Sequence, residues 1–214
     1  MSSCCNRNEY GDVFTAREAE AVARRFRQKG LTGTRAELAA AVQAIAPPEA
    51  TILEAGGGLG DIQITLLEAG ASRATNVELS PSWEASAQEL LAERGLQDRV
   101  TRVLGDFVEV GAAPADIVIM HRVVCCYSDW SGLLRAAATK ALRILGLTFP
   151  VDHWWTRGFL ALANLPNRLR GRTFRAHIHP PAEMIATLTR SGLEISHDHA
   201  GLVWRTLVLQ RRPA

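Results

Sequence analysis

The chain has 214 residues, 47% apolar and 21% charged, which is enough to bury one large core without staples and too apolar for a disordered chain. A net charge of +2 argues against a dedicated nucleic-acid binder. No apolar run reaches the roughly 18 residues of a membrane span, and the opening MSSCCNRNEYGD has neither a basic nor an apolar leader region, so a soluble cytoplasmic protein is expected.

Residues 1–14 are polar. Residues 15–29 carry Ala19, Val22, Ala23 and Phe26 at helical spacing, and Gly30 stops the run. A second helix is predicted over 34–46, with Thr34 and Glu37 as a capping box and Pro47-Pro48 as its end. Together, residues 1–47 read as an N-terminal helical cap. Strands are then predicted at 51–55, 74–79, 100–104, 115–120 and 144–149, and helices at 61–69, 82–94 and 132–143. Strand and helix alternate across short Gly, Pro and Asp junctions, the pattern of a parallel sheet covered on both faces. The tail adds helices at 154–170 and 180–191. Strands at 193–199 and 202–210 follow, joined closely enough to require an antiparallel hairpin.

The chemistry centres on TILEAGGGLGD, residues 51–61. A strand bearing Glu54 runs into Gly56, Gly57, Gly58 and Gly60 ahead of a helix, and such glycines let backbone approach a ligand closely. A dinucleotide fingerprint fails because the sixth position from Gly56 is Asp61, and a phosphate loop fails for want of Gly-Lys-Ser/Thr. The remaining pattern puts an acid before spaced glycines, which suits a cationic ligand. Glu78 ends the next strand where a carboxylate can hold a ribose diol, with Leu79 beside it. Asp106 follows the third strand, where it can accept from an adenine amino group, with Phe107 placed to pack on the ring. His121 follows the fourth, beside the same edge of the sheet. Each feature alone is also compatible with a plain packing turn or a solvated strand end.

In this order the residues resemble the class I S-adenosylmethionine-dependent methyltransferases over roughly 50–150. The resemblance implies an α/β, Rossmann-like seven-stranded sheet, mostly parallel with the last strand antiparallel, occupying 48–214. It implies S-adenosylmethionine as cofactor, with Glu54 and the glycines on its methionine part, Glu78 on ribose and Asp106-Phe107 on adenine. The motif of base-amino methyltransferases is absent after the fourth strand, where Met120-His121-Arg122-Val123 stands. With the near-zero net charge, that argues for a small-molecule acceptor and no nucleic acid, with O-methylation expected. His121, beside the expected methyl position, reads as a general base or as a loop histidine capping a strand end. The C-terminal half is similar in layout to magnesium-protoporphyrin O-methyltransferases. Tyr127, Arg175 and His179 match that layout, while Cys126, Ser128 and His177 depart from it. The likeness implies an insert at about 152–180 forming a substrate wall, with Tyr127, Trp154, Trp155, Arg175 and His179 toward the acceptor.

Between His153 and Ala182 there are five Arg and no Asp or Glu. With the tryptophans, this segment reads as an acceptor lid, a peripheral membrane contact through 153–175, or a plain packed helix. The adjacent pairs Cys4-Cys5 and Cys125-Cys126 read as free thiols, and Cys125-Cys126 leaves open a thiol or metalloid methyltransferase. A non-catalytic binding module on the same fold is a further alternative. No metal site is expected: His177 and His179, and His197 and His199, each share a face without a clear third ligand.

Overall fold

The computed structural model describes residues 13–212. Helix α1 (Ala16–Lys29) opens with a capping box: the Thr15 side chain accepts from Glu18 N–H, and the Glu18 carboxylate accepts from Thr15 N–H. It buries Ala19, Ala23 and Phe26, the stripe that its spacing predicts. Helix α2 (Thr34–Gln43) corrects the sequence reading. Gly33 takes the cap position at φ 58°, Thr34 is the first helical residue, and no side chain caps the helix. A residue already inside the helix cannot serve as its own cap. Instead the Thr34 hydroxyl and the Glu37 carboxylate make long-range contacts, to His121 and to His197 and His199.

Seven strands form one sheet: β1 (Thr51–Ala55), β2 (Arg73–Glu78), β3 (Val100–Leu104), β4 (Ala115–His121), β5 (Ala141–Pro150), β6 (Leu193–Ala200) and β7 (Trp204–Arg211). Their order is β3-β2-β1-β4-β5-β7-β6. Neighbours from β3 to β5 are parallel, and β7 is antiparallel to both β5 and β6. Several boundaries move. Helix α5 starts at Trp130 because Asp129 caps it through Gly132 N–H, and it ends at Lys140. Ala141–Arg143, expected as helix, belong to β5 because Ala141 pairs with Ala115. Leu202 lies in the hairpin turn ahead of β7 and is exposed.

Helices α3 (Asp61–Glu68) and α4 (Glu84–Glu93) join α1 and α2 on one face of the sheet, where Leu38, Val42, Leu67 and Leu90 meet Ile52, Ile117 and Ile144. Helices α5 (Trp130–Lys140) and α7 (Pro181–Arg190) cover the other, where Leu134, Met184 and Leu188 meet Leu53, Val118 and Leu145. Strand residues alternate between the two cores, as a sheet buried on both sides requires. Gly146 of β5 lets α2 come close: a Cβ there would sit 3.0 Å from Leu38 Cδ1 and Val42 Cγ2. Helix α6 (Trp154–Leu169) follows β5 and buries only Thr156 and Leu160.

Candidate active site

The carboxyl ends of β1, β2, β3 and β4 meet one cavity of about 480 Å³, beside the point where strand order reverses between β1 and β4. Glu54, Gly56, Gly57, Gly58, Glu78, Leu79, Asp106, His121 and Tyr127 line it. The glycines are required here. Gly56 and Gly58 adopt φ 58° and 53°, and a Cβ on Gly57 would meet Asn76 Nδ2 and lie 2.7 Å from Glu54 Cδ.

Glu54 lies fully buried beneath the loop, and its Oε2 has no hydrogen-bond partner. Burial, reinforced by the nearby Asp61 carboxylate, pushes its pKa up to about 8. A neighbouring cation would reverse that. Glu78 accepts from Gly58 N–H and Ser80 N–H, each at 2.8 Å. Burial raises its pKa, and those two bonds work the other way. Arg102 of β3 donates to the Gly58 carbonyl and to Glu84, so it braces the loop from below. The Tyr127 hydroxyl reaches both oxygens of Asp106, at 3.0 and 3.1 Å.

On the opposite wall, the His121 ring lies 3.1 Å from the Thr34 hydroxyl. Burial, then the charges of Arg35 and Arg122, hold its pKa well below the usual histidine range, so the imidazole is neutral near neutral pH. Arg35 pairs with Asp61 at 3.1 Å. Arg122 takes φ 58°, donates to Thr34, and stacks its guanidinium 4.2 Å over the Trp204 ring. Phe14, Glu18 and Val22 bring the start of α1 to the same cavity, and the Ser80 hydroxyl ties this roof to the end of β2 through the Phe14 carbonyl.

Several expected residues lie elsewhere. Phe107 is buried in the core on the far face of the sheet, off the cavity wall. Gly60 caps α3 at φ 83° without reaching the cavity. None of Trp154, Trp155, Arg175 and His179 lines it. Trp154 is 81% exposed, and Trp155 donates to the Leu202 carbonyl. Arg175 donates to backbone carbonyls of its own loop, and His179 lies 3.0 Å from the Tyr127 carbonyl.

Cys126 lines the cavity, and its sulfur is 3.8 Å from that of the buried Cys125; Cys4 and Cys5 lie outside the described residues. His197 and His199 both turn their nitrogens to Glu37, at 3.3 and 2.6 Å. Among the described residues no cluster of three His, Cys, Asp or Glu side chains is arranged to hold a metal. Sequence reading did not find Arg35, Arg122, Trp83 or the α1 residues on the wall. Apolar spacing marked α1 itself, but nothing in it placed the start of the helix on the cavity wall.

Residues 53–146 match the family described as "Methyltransferase domain". The mitomycin biosynthesis 6-O-methyltransferase of Streptomyces lavendulae is 36% identical over 158 residues, which are 70% of this chain and 43% of that protein. Among solved structures, the magnesium protoporphyrin IX methyltransferase of Synechocystis PCC 6803 with bound SAH superposes with a TM-score of 0.73 at 22% identity, covering 97% of this chain and 100% of that one. The mitomycin 7-O-methyltransferase superposes with a TM-score of 0.62 at 25% identity, covering 92% of this chain and 61% of that one. The sheet order, the glycine loop and these matches define a class I S-adenosylmethionine-dependent methyltransferase domain. The chain spans 43% of the length of the curated relative it matches.

Proposed function

We propose that this chain methylates a hydroxyl group on a small, largely apolar acceptor, with S-adenosylmethionine as methyl donor. The observation that carries the reading is the run of carboxylates Glu54, Glu78 and Asp106 at successive strand ends around one glycine-lined cavity. The residues present fit the cofactor. Glu54 offers an unpartnered buried oxygen to a cationic methionine moiety, and Gly57 leaves space that a Cβ would fill. Glu78 would hold the ribose diol, and Asp106 the adenine amino group. The acceptor class is supported by the 36% identical relative, which is named an O-methyltransferase.

When bound, the cofactor supplies an electrophilic methyl group on a sulfonium. The protein's own work is alignment, exclusion of water and proton handling. Phe14 and Val22 close the cavity over the β1 and β2 ends. His121, neutral at working pH, takes the proton from the acceptor hydroxyl, and Arg35 and Arg122 stabilise the developing oxyanion. Among the described residues no third metal-ligating side chain joins Cys125 and Cys126, which gives metalloid chemistry no support. The two sulfurs, 3.8 Å apart, form no disulfide with each other, which fits a reducing cytoplasm.

The test is incubation with S-adenosylmethionine carrying a labelled methyl group and a panel of phenolic, hydroxyquinone and carboxylic acceptors. Label in an acceptor ether, with S-adenosylhomocysteine formed in equal amount, is expected. Tight cofactor binding without turnover on any member would support the non-catalytic alternative instead.

A further inference from the structure

Of the large apolar side chains exposed among the described residues, six lie on α6: Trp154, Trp155, Phe159, Leu162, Leu165 and Leu169. With about 100° of turn per residue, all six fall within an arc of roughly 140°. Thr156 and Leu160, the residues α6 buries, lie on the other side of the helix. Ordinary amphipathic helices turn their large apolar side chains inward; α6 turns them outward. The patch continues onto the hairpin turn, where Leu202 is 84% exposed and its carbonyl accepts from Trp155 Nε1.

The segment that carries this patch has charge of one sign. No Asp or Glu occurs between His153 and Ala182, while Arg157, Arg168, Arg170, Arg172 and Arg175 do. Arg157 pairs back to Asp152 at 2.7 Å; Arg168 and Arg170 are exposed near the end of the helix. No α6 residue lines the cavity, so the patch is not an acceptor wall.

We propose that the outward face of α6, with Leu202, docks this protein on an anionic lipid surface. A helix with bulky apolar residues on one face and arginines at its margin lies in the headgroup boundary with that face inserted. Tryptophans at its start suit the interface, and the arginines meet lipid phosphate. A two-fold contact between copies of this chain would instead set one acid-free, arginine-bearing segment against its equivalent. Charge complementarity therefore selects an anionic membrane over a second copy. The helix lies on the surface: among the described residues none is long and apolar enough to cross a membrane.

The full chain is sedimented with vesicles of phosphatidylcholine alone and of phosphatidylcholine with phosphatidylglycerol. Binding to the anionic vesicles, released by high salt and weak on the neutral ones, is expected. Arg168→Gln and Arg170→Gln should each weaken partition about fivefold. Phe159→Glu with Leu162→Glu should abolish it while the unfolding temperature and S-adenosylmethionine affinity stay unchanged, which separates lost docking from lost folding. Equal sedimentation of parent and double-glutamate variant would overturn the proposal. So would absence of binding to either vesicle, or a light-scattering dimer that Leu162→Glu dissociates with no vesicle binding by the parent.

Discussion

The edge of the sheet around Glu54, Glu78 and Asp106 and the segment from Trp154 to His179 use their chemistry in opposite ways. At the sheet edge the charged groups are buried and held from within: Gly58 and Ser80 N–H groups fix Glu78, and the Tyr127 hydroxyl fixes Asp106. In the later segment both tryptophans, Leu162, Leu165, Leu169, Arg168 and Arg170 face outward, and the polar bonds go mostly to nearby carbonyls, such as those of Arg172, Phe174 and Leu202. Strand ends place side chains because the sheet on either side is immovable. A helix attached through only two buried residues, Thr156 and Leu160, leaves its chemistry on the surface. The difference teaches that cofactor geometry belongs to the sheet here, and that the surface segment serves another contact.

The largest expected effect separates core from site. Phe107→Ala should cost about 3–5 kcal/mol of stability and leave cofactor affinity near the parent value at temperatures where the fold holds. Thermal unfolding and calorimetry on the same sample check both parts; unchanged stability with lost affinity would put the ring in the site.

Gly57→Ala comes next. Its methyl group would collide with Glu54 and Asn76, so about 1–3 kcal/mol of stability should go, together with cofactor binding. Gly158→Ala, with open space around its Cβ, is the comparison; binding there should survive.

The third concerns protons. Folded and ligand-free, Glu54 keeps its proton up to about 8, whereas the ordinary carboxyl releases it near 4.5. The folded chain holds more protons in that window, so this group's contribution to stability falls as pH rises through it. A cationic ligand that draws Glu54 into its ionised form must release a proton. Calorimetry at pH 6.5 in buffers of different ionisation heat should show this release, and Glu54→Gln should remove it.

The smallest concerns the contact between α2 and β6. Burial raises the Glu37 carboxyl, but hydrogen bonds from His199 and His197 outweigh this and leave it below its ordinary value. Its contribution is present above the usual carboxylate range and fades as pH falls through it. With His199 largely exposed, Glu37→Gln should cost only about 0.2–1 kcal/mol at pH 7, and progressively less as the pH falls below the ordinary carboxylate range, measured by denaturant unfolding.

The topology was legible because short apolar runs alternating with helical stretches admit few arrangements. The carboxylates were legible because their place at a strand end is itself a sequence position. Phe107 was not, because Asp106 Oδ1 accepts from Val108 N–H; this side-chain turn carries Phe107 into the core. The outward face of α6 was open too: periodicity shows that a helix has an apolar stripe, but not which side meets the sheet. Arg35, Arg122 and the α1 roof were silent because they reach the cavity through contacts between distant parts of the chain. Glu37 and His197, 160 residues apart, meet for the same reason.

Calorimetric titration with S-adenosylmethionine and S-adenosylhomocysteine, with NAD as control, tests the central claim most directly. Micromolar binding of the first two, no binding of NAD, and a loss of about 1–3 kcal/mol in Glu78→Ala are predicted. Unchanged affinity in Glu78→Ala, or binding of NAD in place of the sulfonium, would contradict the assignment of this cavity.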